Sequence, residues 1–321
     1  MIISKTPLRV SLAGGGSDLP AFYQRSRGSV ISGSIDKYVY VIIKERFDDK
    51  IYINYSEKEI VNNIDDIKHN LVRECLRKTG ITKGVEITTL SDIPSSGSGL
   101  GSSSSVTVGL LNAFYNYKNI LVSKEDLAEM ACEIEIDICK NPIGKQDQYG
   151  CAIGGINKIN FNTNGEVTYN SCHYDLKTIA KSFYLYYTGI TRSANSILEQ
   201  QSKNNILKKS ENERLIESVE DLDTILKNKK YNDIGPFLHK NWQIKKRMSV
   251  GVSNQKIDDL YTEGINSGST GGKILGAGGG GFILFYVPRK DQENFENNMK
   301  HHNFLDFKFE NHGTKIIFVE G

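Results

Sequence analysis

The sequence predicts an α+β fold on three observations. Apolar and polar residues alternate in the first half of the chain, for example at Leu8, Val10 and Leu12, as in strands with one buried face. The stretch 193–248 is rich in lysine, glutamate and asparagine, which is typical of helices with a solvated face. The remaining residues read strand, helix, strand, strand, an order that suits an α+β sandwich.

The length and composition allow two domains. A chain of 321 residues corresponds to one large domain or two ordinary ones. With 38% hydrophobic residues, including 13 Phe and 16 Tyr, it can bury a sizeable core. The character of the sequence changes after about Ser171, so we predict domains at 1–172 and 173–321.

Charge and cysteine usage exclude several classes of protein. The formal charge of +2 is spread along the chain, so we expect no nucleic-acid partner. The five cysteines form no CxxC pair and the six histidines no HExxH, which argues against a disulfide framework or a zinc site. We find neither a signal segment nor an apolar run of about 18 residues. The expectation is a soluble cytoplasmic protein with no membrane partner.

The first third of the chain predicts alternating strands and helices. The first strand runs into a glycine turn at 13–18, and a short helix follows. A dense β-branched and aromatic run has a predicted hairpin partner across Phe47–Lys50, and a longer amphipathic helix and another strand come next. The predicted segments are the helix 19–24, the strands 38–46 and 51–55, the helix 64–78 and the strand 84–90.

The middle of the chain has clear helix signals. A helical pattern begins at Val106, and Ser123-x-x-Asp126 is a capping box that starts the next helix. Asn141-Pro142 ends that helix, because proline restricts the residue before it. We then predict a polar loop over 143–150, strands at 156–161 and 167–172, and a hairpin turn between them.

The last third combines the charged helical stretch with further strands. Trp242 lies within that stretch, where a single tryptophan more often packs in a core than forms a ligand platform. A glycine cluster at 271–281 precedes an apolar strand. The predicted segments are the strands 183–187 and 282–287, the helix 292–301, and the strands 304–309 and 315–319.

The stretch from Pro94 to Ser105 is the main functional signal. It reads Pro-Ser-Ser-Gly-Ser-Gly-Leu-Gly-Ser-Ser-Ser-Ser and joins a predicted strand to a predicted helix. Glycines let a backbone approach a ligand closely, and a helix start presents N–H groups and a partial positive charge. Phosphate is the natural occupant. The alternative is a flexible linker, as glycine- and serine-rich tracts usually are.

Two other places suggest chemistry and also have ordinary structural explanations. Gly14, Gly15 and Gly16 leave room at the end of the first strand, where Arg9 and Asp18 bracket the space. The same residues would also fit a plain glycine turn with Asp18 as a helix cap. Glu135 flanks the apolar stripe of its helix, a place that boundary residues commonly occupy.

Three glycine clusters, at 14–16, 97–101 and 276–281, would form a backbone-walled pocket for a polyanion if they converge. The chain has no GxxxxGK[ST], no complete GxGxxG and no protein-kinase signature. Phosphoryl transfer needs a phosphate cradle, a metal, positive charge and a group that orients the attacking hydroxyl. Arg9, Lys145 or Lys273 could supply charge, and Asp147 or Asp18 could accept a proton.

These residues resemble the three motifs of the GHMP kinase superfamily. The segments that match are Pro7 to Asp18, Pro94 to Ser104 and Leu275 to Gly281. The resemblance covers nearly the whole chain. It implies a two-domain GHMP kinase architecture, with an N-terminal domain like domain 2 of ribosomal protein S5 and a C-terminal ferredoxin-like α/β sandwich. It also implies ATP and Mg²⁺ as cofactors.

The resemblance assigns roles to particular residues. Ser103 and Glu135 would contact magnesium, and Asp147 matches the aspartate proposed as general base. Arg9 matches the basic residue beside that aspartate, where its charge favours the ionised carboxylate. The ATP phosphates would be wrapped by consecutive loop residues, namely Gly97, Ser98, Gly99, Leu100, Gly101, Ser102, Ser103 and Ser104.

Within the superfamily, the segments Gly14 to Pro20, Gly144 to Tyr149 and Tyr187 to Ser193 look most like those of the D-glycero-D-manno-heptose 7-phosphate kinases, which phosphorylate the anomeric hydroxyl. Arg192 and Lys273 are candidates for the substrate phosphate, and Lys145 is a weaker one. A kinase of an unphosphorylated sugar, fucokinase- or galactokinase-like, and a non-catalytic sugar or nucleotide sensor stay as alternatives, and a homodimer is left open. The predicted substrate residues are Gly15, Gly16, Ser17, Asp18, Asp147, Thr191, Arg192 and Lys273.

Overall fold

The computed structural model describes residues 1–94, 97–171, 174, 176–191, 197, 209–248 and 250–320. Within them, the chain folds into two sheets and several helices, a mixed α/β architecture as the sequence predicts. Among the described helices, none combines the length and the apolar content that crossing a membrane requires.

The first sheet is built mainly from the first half of the chain. Its strands follow the order β12-β1-β2-β5-β3-β4, and β6 and β7 extend it from β2. The strands are β1 (Ile2–Ala13), β2 (Gly28–Glu45), β3 (Ile51–Asn54), β4 (Lys58–Val61), β5 (Val85–Ser91), β6 (Ile156–Phe161), β7 (Val167–Ser171) and β12 (Lys315–Val319). The helices of this half are α1 (Pro20–Tyr23), α2 (Asn70–Thr79), α3 (Ser102–Tyr117), α4 (Lys124–Cys132) and α5 (Gln146–Ile153).

The long strand β2 organises the first sheet. It pairs with β1 over nearly its whole length, with β6 along its first residues and with β5 along its last. Its first eight residues are all buried, because elements cover both of its faces there. This packing fixes β1, so the residues at the end of β1 have a rigid support.

The second sheet is four-stranded and antiparallel, in the order β11-β8-β10-β9. Alternate residues of β8 face two different clusters, as the period of a strand requires. Phe183 and Leu185 pack into the main core with the first sheet. Tyr184 and Tyr186 pack into a second core with Trp242. The elements of this half are α6 (Leu176–Ala180), β8 (Phe183–Tyr187), α7 (Lys209–Lys227), α8 (Ile234–Met248), α9 (Gln255–Asn266), β9 (Gly271–Ile274), β10 (Phe282–Tyr286), α10 (Gln292–Met299) and β11 (Phe304–Leu305).

The last strand returns to the first sheet. β12 pairs antiparallel with β1, with Ile2 opposite Val319. Just before it, the Thr314 hydroxyl lies 2.8 Å from the Thr6 hydroxyl, and Asn112 Nδ2 donates to it over 2.9 Å. The final strand therefore belongs to the N-terminal sheet by its hydrogen bonds, although it follows the C-terminal sheet along the chain. The boundary at 172 and 173 stays a prediction.

Two predictions for the first third of the chain were wrong. The segment 51–55 does not form a hairpin with β2, because β5 lies between them and pairs with β3 in parallel. β3 forms its hairpin with β4 instead. The segment 64–78 is not one helix, since a 3₁₀ turn at Ile64–Asp66 precedes α2, whose N-terminus is capped by the His69 side chain.

In the middle of the chain, one prediction is confirmed and another is partly wrong. The capping box at Ser123 is confirmed, since its hydroxyl accepts a hydrogen bond from the Asp126 N–H at 3.0 Å. The polar loop predicted over 143–150 is wrong in its second half, where α5 begins at Gln146. α4 continues directly into a π-helical turn, Glu133–Ile138.

In the last third of the chain, Trp242 is 1% exposed, which confirms the prediction that it is a core residue.

Candidate active site

The glycine-rich loop ends at the N-terminus of α3. Gly97, Gly99 and Gly101 all have positive φ angles, and Gly101 is the N-cap residue of the helix. No side chain caps α3, so no side-chain acceptor occupies the N–H groups of its first turn. Ser95 and Ser96 lie outside the described residues. This geometry matches an anion-binding helix start that follows a tight glycine loop.

Most loop side chains support the loop itself. The hydroxyls of Ser98 and Ser102 lie 2.8 Å apart, and both residues are buried. The Ser98 hydroxyl also accepts a hydrogen bond from the Leu100 N–H over 3.3 Å. Ser103, by contrast, is exposed at the helix start. The loop would therefore present mainly backbone groups and the Ser103 side chain to a ligand.

The third glycine cluster packs directly against this loop. A Cβ on Gly276 would lie 2.5 Å from the Gly99 Cα, and a Cβ on Gly281 would lie 2.4 Å from the Ser98 carbonyl oxygen. The Thr188 N–H and Ile190 carbonyl in turn bond the backbone of Gly281. Two of the three clusters therefore meet, and here glycine allows two backbones to touch.

Arg9 holds Asp147 in a two-point contact next to the loop. Arg9 Nε donates to Asp147 Oδ1 at 2.8 Å, and Nη2 donates to Oδ2 at 2.6 Å. The remaining guanidinium nitrogen, Nη1, donates to the Gly99 carbonyl at 2.7 Å. The Arg9 side chain is 2% exposed, whereas that of Asp147 is 23% exposed. One arginine thus joins the predicted phosphate loop to a carboxylate that solvent can reach.

Small residues make this contact possible. Asp147 lies in the first turn of α5, where the helix dipole favours a negative charge. A Cβ on Gly150 would lie 3.4 Å from the Arg9 Cγ, and one on Gly101 would lie 3.1 Å from the same atom. The two glycines let the helix and the loop approach the arginine from both sides.

Asp18 forms a second, more enclosed carboxylate. Its Oδ1 accepts a hydrogen bond from the Gly16 N–H at 2.9 Å, and its Oδ2 accepts one from the Gln146 N–H at 3.4 Å. Burial raises the pKa of Asp18, and the nearby negative charge of Asp147 raises it further. Two acidic groups with different surroundings thus lie within electrostatic range of each other.

The glycine turn before Asp18 packs closely except at one residue. The Ser17 hydroxyl lies 2.8 Å from the carbonyl oxygens of both Gly14 and Ser29, either of which can accept its single hydrogen bond. A Cβ on Gly15 would lie 3.3 Å from the Ser11 hydroxyl, whereas one on Gly16 would meet nothing within 4 Å. Gly16 therefore borders open space beside Asp18, and the Ser17 side chain stabilises the turn.

Glu135 is fully buried beside α3. Ser104 Oγ and Gln148 Nε2 both donate to its Oε2 atom, at 2.7 and 2.6 Å. Its Oε1 atom is buried and has no hydrogen-bond partner among the described residues. Burial raises the pKa of Glu135 to about 7 and the charge of Asp147 acts in the same direction, whereas the hydrogen bonds from Ser104 and Gln148 lower it. An unpaired, buried carboxylate oxygen is a costly group unless a ligand completes it.

The donor set around Glu135 fits a magnesium ion. Glu135 lies within the π-helical turn, a distortion that often marks functional positions. The orphan Oε1 atom and the nearby Ser103 hydroxyl are oxygen donors of the kind that Mg²⁺ prefers, with its remaining positions filled by water and substrate phosphates. Ser103 and Glu135 could together hold one.

The predicted basic residues are engaged by other groups. Lys145 Nζ donates to Glu129 at 3.0 Å and to the Gly165 carbonyl at 2.9 Å. Lys273 is buried, and its Nζ donates to the carbonyls of Ser11 and Leu12 at 2.9 and 3.4 Å.

Thr191 and Arg192 are the two predicted substrate residues that follow β8. The Thr191 hydroxyl lies 2.9 Å from the Tyr187 hydroxyl, in the segment that bonds Gly281. Arg192 lies outside the described residues.

The sequence reasoning missed two residues of this site. Gln148 donates to Glu135, together with Ser104, which was predicted only as part of the phosphate loop. Lys245 lies on α8 within electrostatic range of Arg9, Asp18 and Asp147. Gln148 could have been found from its place one residue after Asp147 had 146–153 been recognised as a helix. Lys245 carries no local signal, because it is one of many lysines in the charged stretch.

Comparisons with known families agree with this geometry. Residues 67–155 match the family model described as GHMP kinases N terminal domain, and residues 215–304 match the one described as GHMP kinases C terminal.

Individual relatives include sugar kinases. The chain is 31% identical to a D-glycero-alpha-D-manno-heptose 7-phosphate kinase from Campylobacter jejuni, over 98% of both sequences. It is 24% identical to an L-fucokinase/L-fucose-1-P guanylyltransferase from Bacteroides fragilis, over 91% of this chain and 35% of that protein. A crystal structure of a D-glycero-D-manno-heptose 1-phosphate kinase from Bacteroides thetaiotaomicron superposes with a TM-score of 0.82 at 25% identity, covering both chains completely.

Proposed function

This chain belongs to the GHMP kinase family and has its two-domain fold, and we propose that it transfers the γ-phosphoryl group of ATP to the anomeric hydroxyl of a sugar phosphate. Its relatives support sugar kinase activity. The observation that carries the proposal is the Arg9–Asp147 pair, because it connects the Gly99 carbonyl of the phosphate loop to a reachable carboxylate.

Asp147 is suited to bind and orient the attacking hydroxyl. Both of its oxygens accept hydrogen bonds from Arg9, and each has a further lone pair for the substrate. The two-point contact fixes the plane of the carboxylate, so the bound hydroxyl would be held in one direction. A proton released during transfer would pass to Asp147 or through it to solvent. A positioned base of this kind typically contributes about 10²–10⁴-fold to a rate.

The loop 97–104 is suited to bind the phosphates of ATP. Positive φ angles at Gly97, Gly99 and Gly101 and the uncapped start of α3 provide backbone donors for an anion. Ser103 and Glu135 would hold magnesium at the same helix end. A bound magnesium ion neutralises negative charge on the phosphates as the phosphoryl group is transferred.

For the sugar, we propose D-glycero-D-manno-heptose 7-phosphate, which would give the 1,7-bisphosphate for nucleotide-activated heptose synthesis. The Campylobacter jejuni relative is named for this substrate. Asp18 and the open space at Gly16 provide a place for sugar hydroxyls next to Asp147. An anomeric hydroxyl is more acidic than an ordinary alcohol, so a modest base such as Asp147 would suffice.

A kinase of an unphosphorylated sugar is the second candidate. It is favoured by the engagement of Lys273 and Lys145, since both donate to protein oxygens and neither is aimed at a substrate phosphate. Arg192, the remaining predicted phosphate ligand, lies outside the described residues. The two candidates therefore differ in whether a second phosphate improves the acceptor.

A coupled assay of ADP release tests both candidates. The acceptors are heptose 7-phosphate, unphosphorylated heptose, fucose and galactose, each with ATP and Mg²⁺. We expect the highest kcat/KM with heptose 7-phosphate. A higher value with any free sugar would overturn the choice of substrate. ADP release with none of the acceptors, from a folded protein, would overturn the proposed function.

A further inference from the structure

The cations of the site differ in how many donors they have left for a ligand. Arg9 directs Nε and Nη2 to Asp147 and Nη1 to the Gly99 carbonyl. Lys273 is 5% exposed and directs its ammonium to two carbonyls at the end of β1. Both side chains are therefore engaged by the fold and hold strands and loops in place.

Lys245 differs from both. It projects from α8, is partly buried, and donates to the carbonyl of Gly276. No carboxylate lies within ion-pair distance of it among the residues that the structure describes, and an ammonium has three N–H donors. Burial and the charge of Arg9 lower the pKa of Lys245 to about 8, whereas Asp18 and Asp147 act in the opposite direction. A partly buried cation with spare donors is therefore held in the acidic part of the site.

Lys245 is connected both to the loop proposed to bind the nucleotide and to the carboxylate proposed to bind the acceptor hydroxyl. Its acceptor, Gly276, touches the phosphate loop, since a Cβ there would lie 2.5 Å from the Gly99 Cα. Its charge also interacts with those of Asp147 and Asp18. If the loop holds the nucleotide and Asp147 holds the hydroxyl, the phosphorus atom that is transferred must lie between them. Lys245 therefore bonds a residue that touches the loop and lies within electrostatic range of Asp147.

We propose that the Lys245 ammonium binds the phosphoryl group that is transferred, by donating hydrogen bonds to its non-bridging oxygens. This inference rests on the proposed function. During transfer, a bond forms between the acceptor oxygen and the γ-phosphorus, and the bond from that phosphorus to the bridging oxygen breaks. The bridging oxygen keeps the electron pair and leaves as part of ADP, and the hydroxyl proton goes to Asp147 or solvent. Lys245 keeps its proton and stabilises charge on the oxygens.

Nucleotide affinity tests this assignment without turnover. Isothermal titration with Mg²⁺ compares ADP and a non-hydrolysable ATP analogue for the parent, Lys245→Met and Lys240→Met, a control at an exposed lysine of the same helix. We expect Lys245→Met to lose about tenfold in affinity for the analogue and nothing for ADP, as loss of a charge-assisted hydrogen bond would cause. The control should match the parent. Unchanged affinity for the analogue, or an equal loss for ADP, would overturn the proposal.

Kinetics separate Lys245 from a ligand of the substrate phosphate. We expect Lys245→Met to lower kcat by about 10²–10³-fold with heptose and heptose 7-phosphate alike, and Lys245→Arg to retain more activity than Lys245→Met. A loss confined to the phosphorylated acceptor would contradict the proposal. If the parent phosphorylates neither sugar, the proposed function fails, and the titration with the ATP analogue still decides the role of Lys245.

Discussion

At the scale of single residues, Arg9 determines what Asp147 can do. All three of its side-chain nitrogens are engaged by Asp147 and Gly99, so the arginine acts as a strut between a helix and a loop. Glu135 shows the opposite arrangement, because one of its oxygens is buried without a partner in the described part of the chain. Every guanidinium nitrogen of Arg9 thus has a protein partner, whereas Glu135 keeps one oxygen for the magnesium ion that we propose.

Replacing Asp147 by asparagine tests its role in catalysis. The amide keeps the size of the side chain but cannot accept a proton, so we expect kcat to fall by about 10²–10⁴-fold with ADP affinity retained. The coupled ADP assay gives kcat, and titration calorimetry gives the affinity. An unchanged kcat would contradict the assignment. Weaker ADP binding would show that the variant disturbs the phosphate loop through Arg9 and Gly99.

Glu135→Gln tests the metal site through stability. The pKa of Glu135 is about 7 in the metal-free protein, above its ordinary value of 4.5, so the folded state binds more protons than the unfolded state between these pH values. The free energy of unfolding therefore decreases as pH rises through this window. In EDTA, we expect Glu135→Gln to be more stable than the parent at pH 8 and to approach it at pH 5, by urea denaturation at each pH.

When Mg²⁺ and ADP are added, we expect the parent to gain more stability than the variant. Mg²⁺ with ADP should raise the Tm of the parent more than that of Glu135→Gln, because the neutral amide is a poorer ligand for the ion. Equal increases in Tm would remove Glu135 from the metal site. A parent that is as stable as the variant at pH 8 without metal would contradict the cost of the buried charge.

At the scale of elements, the site depends on how short segments meet, and the sequence predicts this unevenly. The strand, glycine loop and helix around 97–104 were predictable because glycine and serine have strong local preferences. The helical nature of 146–153 was not, because Lys145 precedes it without a side-chain cap. The side of α8 that faces the site could not be predicted either, because it depends on how the helix packs.

The contact between Gly99 and the third glycine cluster can be tested by adding one methyl group. A Cβ on Gly99 would lie 2.6 Å from the Leu275 carbonyl oxygen, whereas one on Gly165 would meet nothing within 4 Å. Both glycines have positive φ, so Gly165→Ala is a control for backbone strain, which costs about 1 kcal/mol. We expect Gly99→Ala to lose more stability in urea denaturation and to bind ADP more weakly. Equal effects of the two variants would show that the backbone contact is unimportant.

At the scale of the whole molecule, the two halves of the sequence share one main core. Residues of β8 and β10 pack in the same cluster as β1 and β2. The return of β12 to β1 could not be predicted, because an edge strand near one end of the chain gives no local sign of its partner. Predicting the α+β class required only the order of elements, whereas predicting the topology requires contacts between residues that are far apart in sequence.

Thr314 provides a test of how the last strand is attached. Its hydroxyl contacts Thr6 and Asn112, and all three residues are buried. Thr314→Val would leave two buried polar groups without this partner, which should cost about 1–3 kcal/mol of the free energy of unfolding. Thr314→Ser keeps the hydroxyl and should cost less. Chemical denaturation compares the two, and a Thr314→Val variant as stable as Thr314→Ser would contradict the role of the hydroxyl.

The contact between the phosphate loop and the 275–281 segment also bears on the order of folding. The loop is synthesised long before the backbone that supports Gly99, and pairing of segments so far apart in sequence is slow because a large loop must close first. The pairing of β1 with β12 is slow for the same reason, because the two strands lie far apart in the sequence. We therefore expect the ability to bind nucleotide to appear late during refolding, after the helical signal has recovered, with the phosphate loop among the last parts to become rigid.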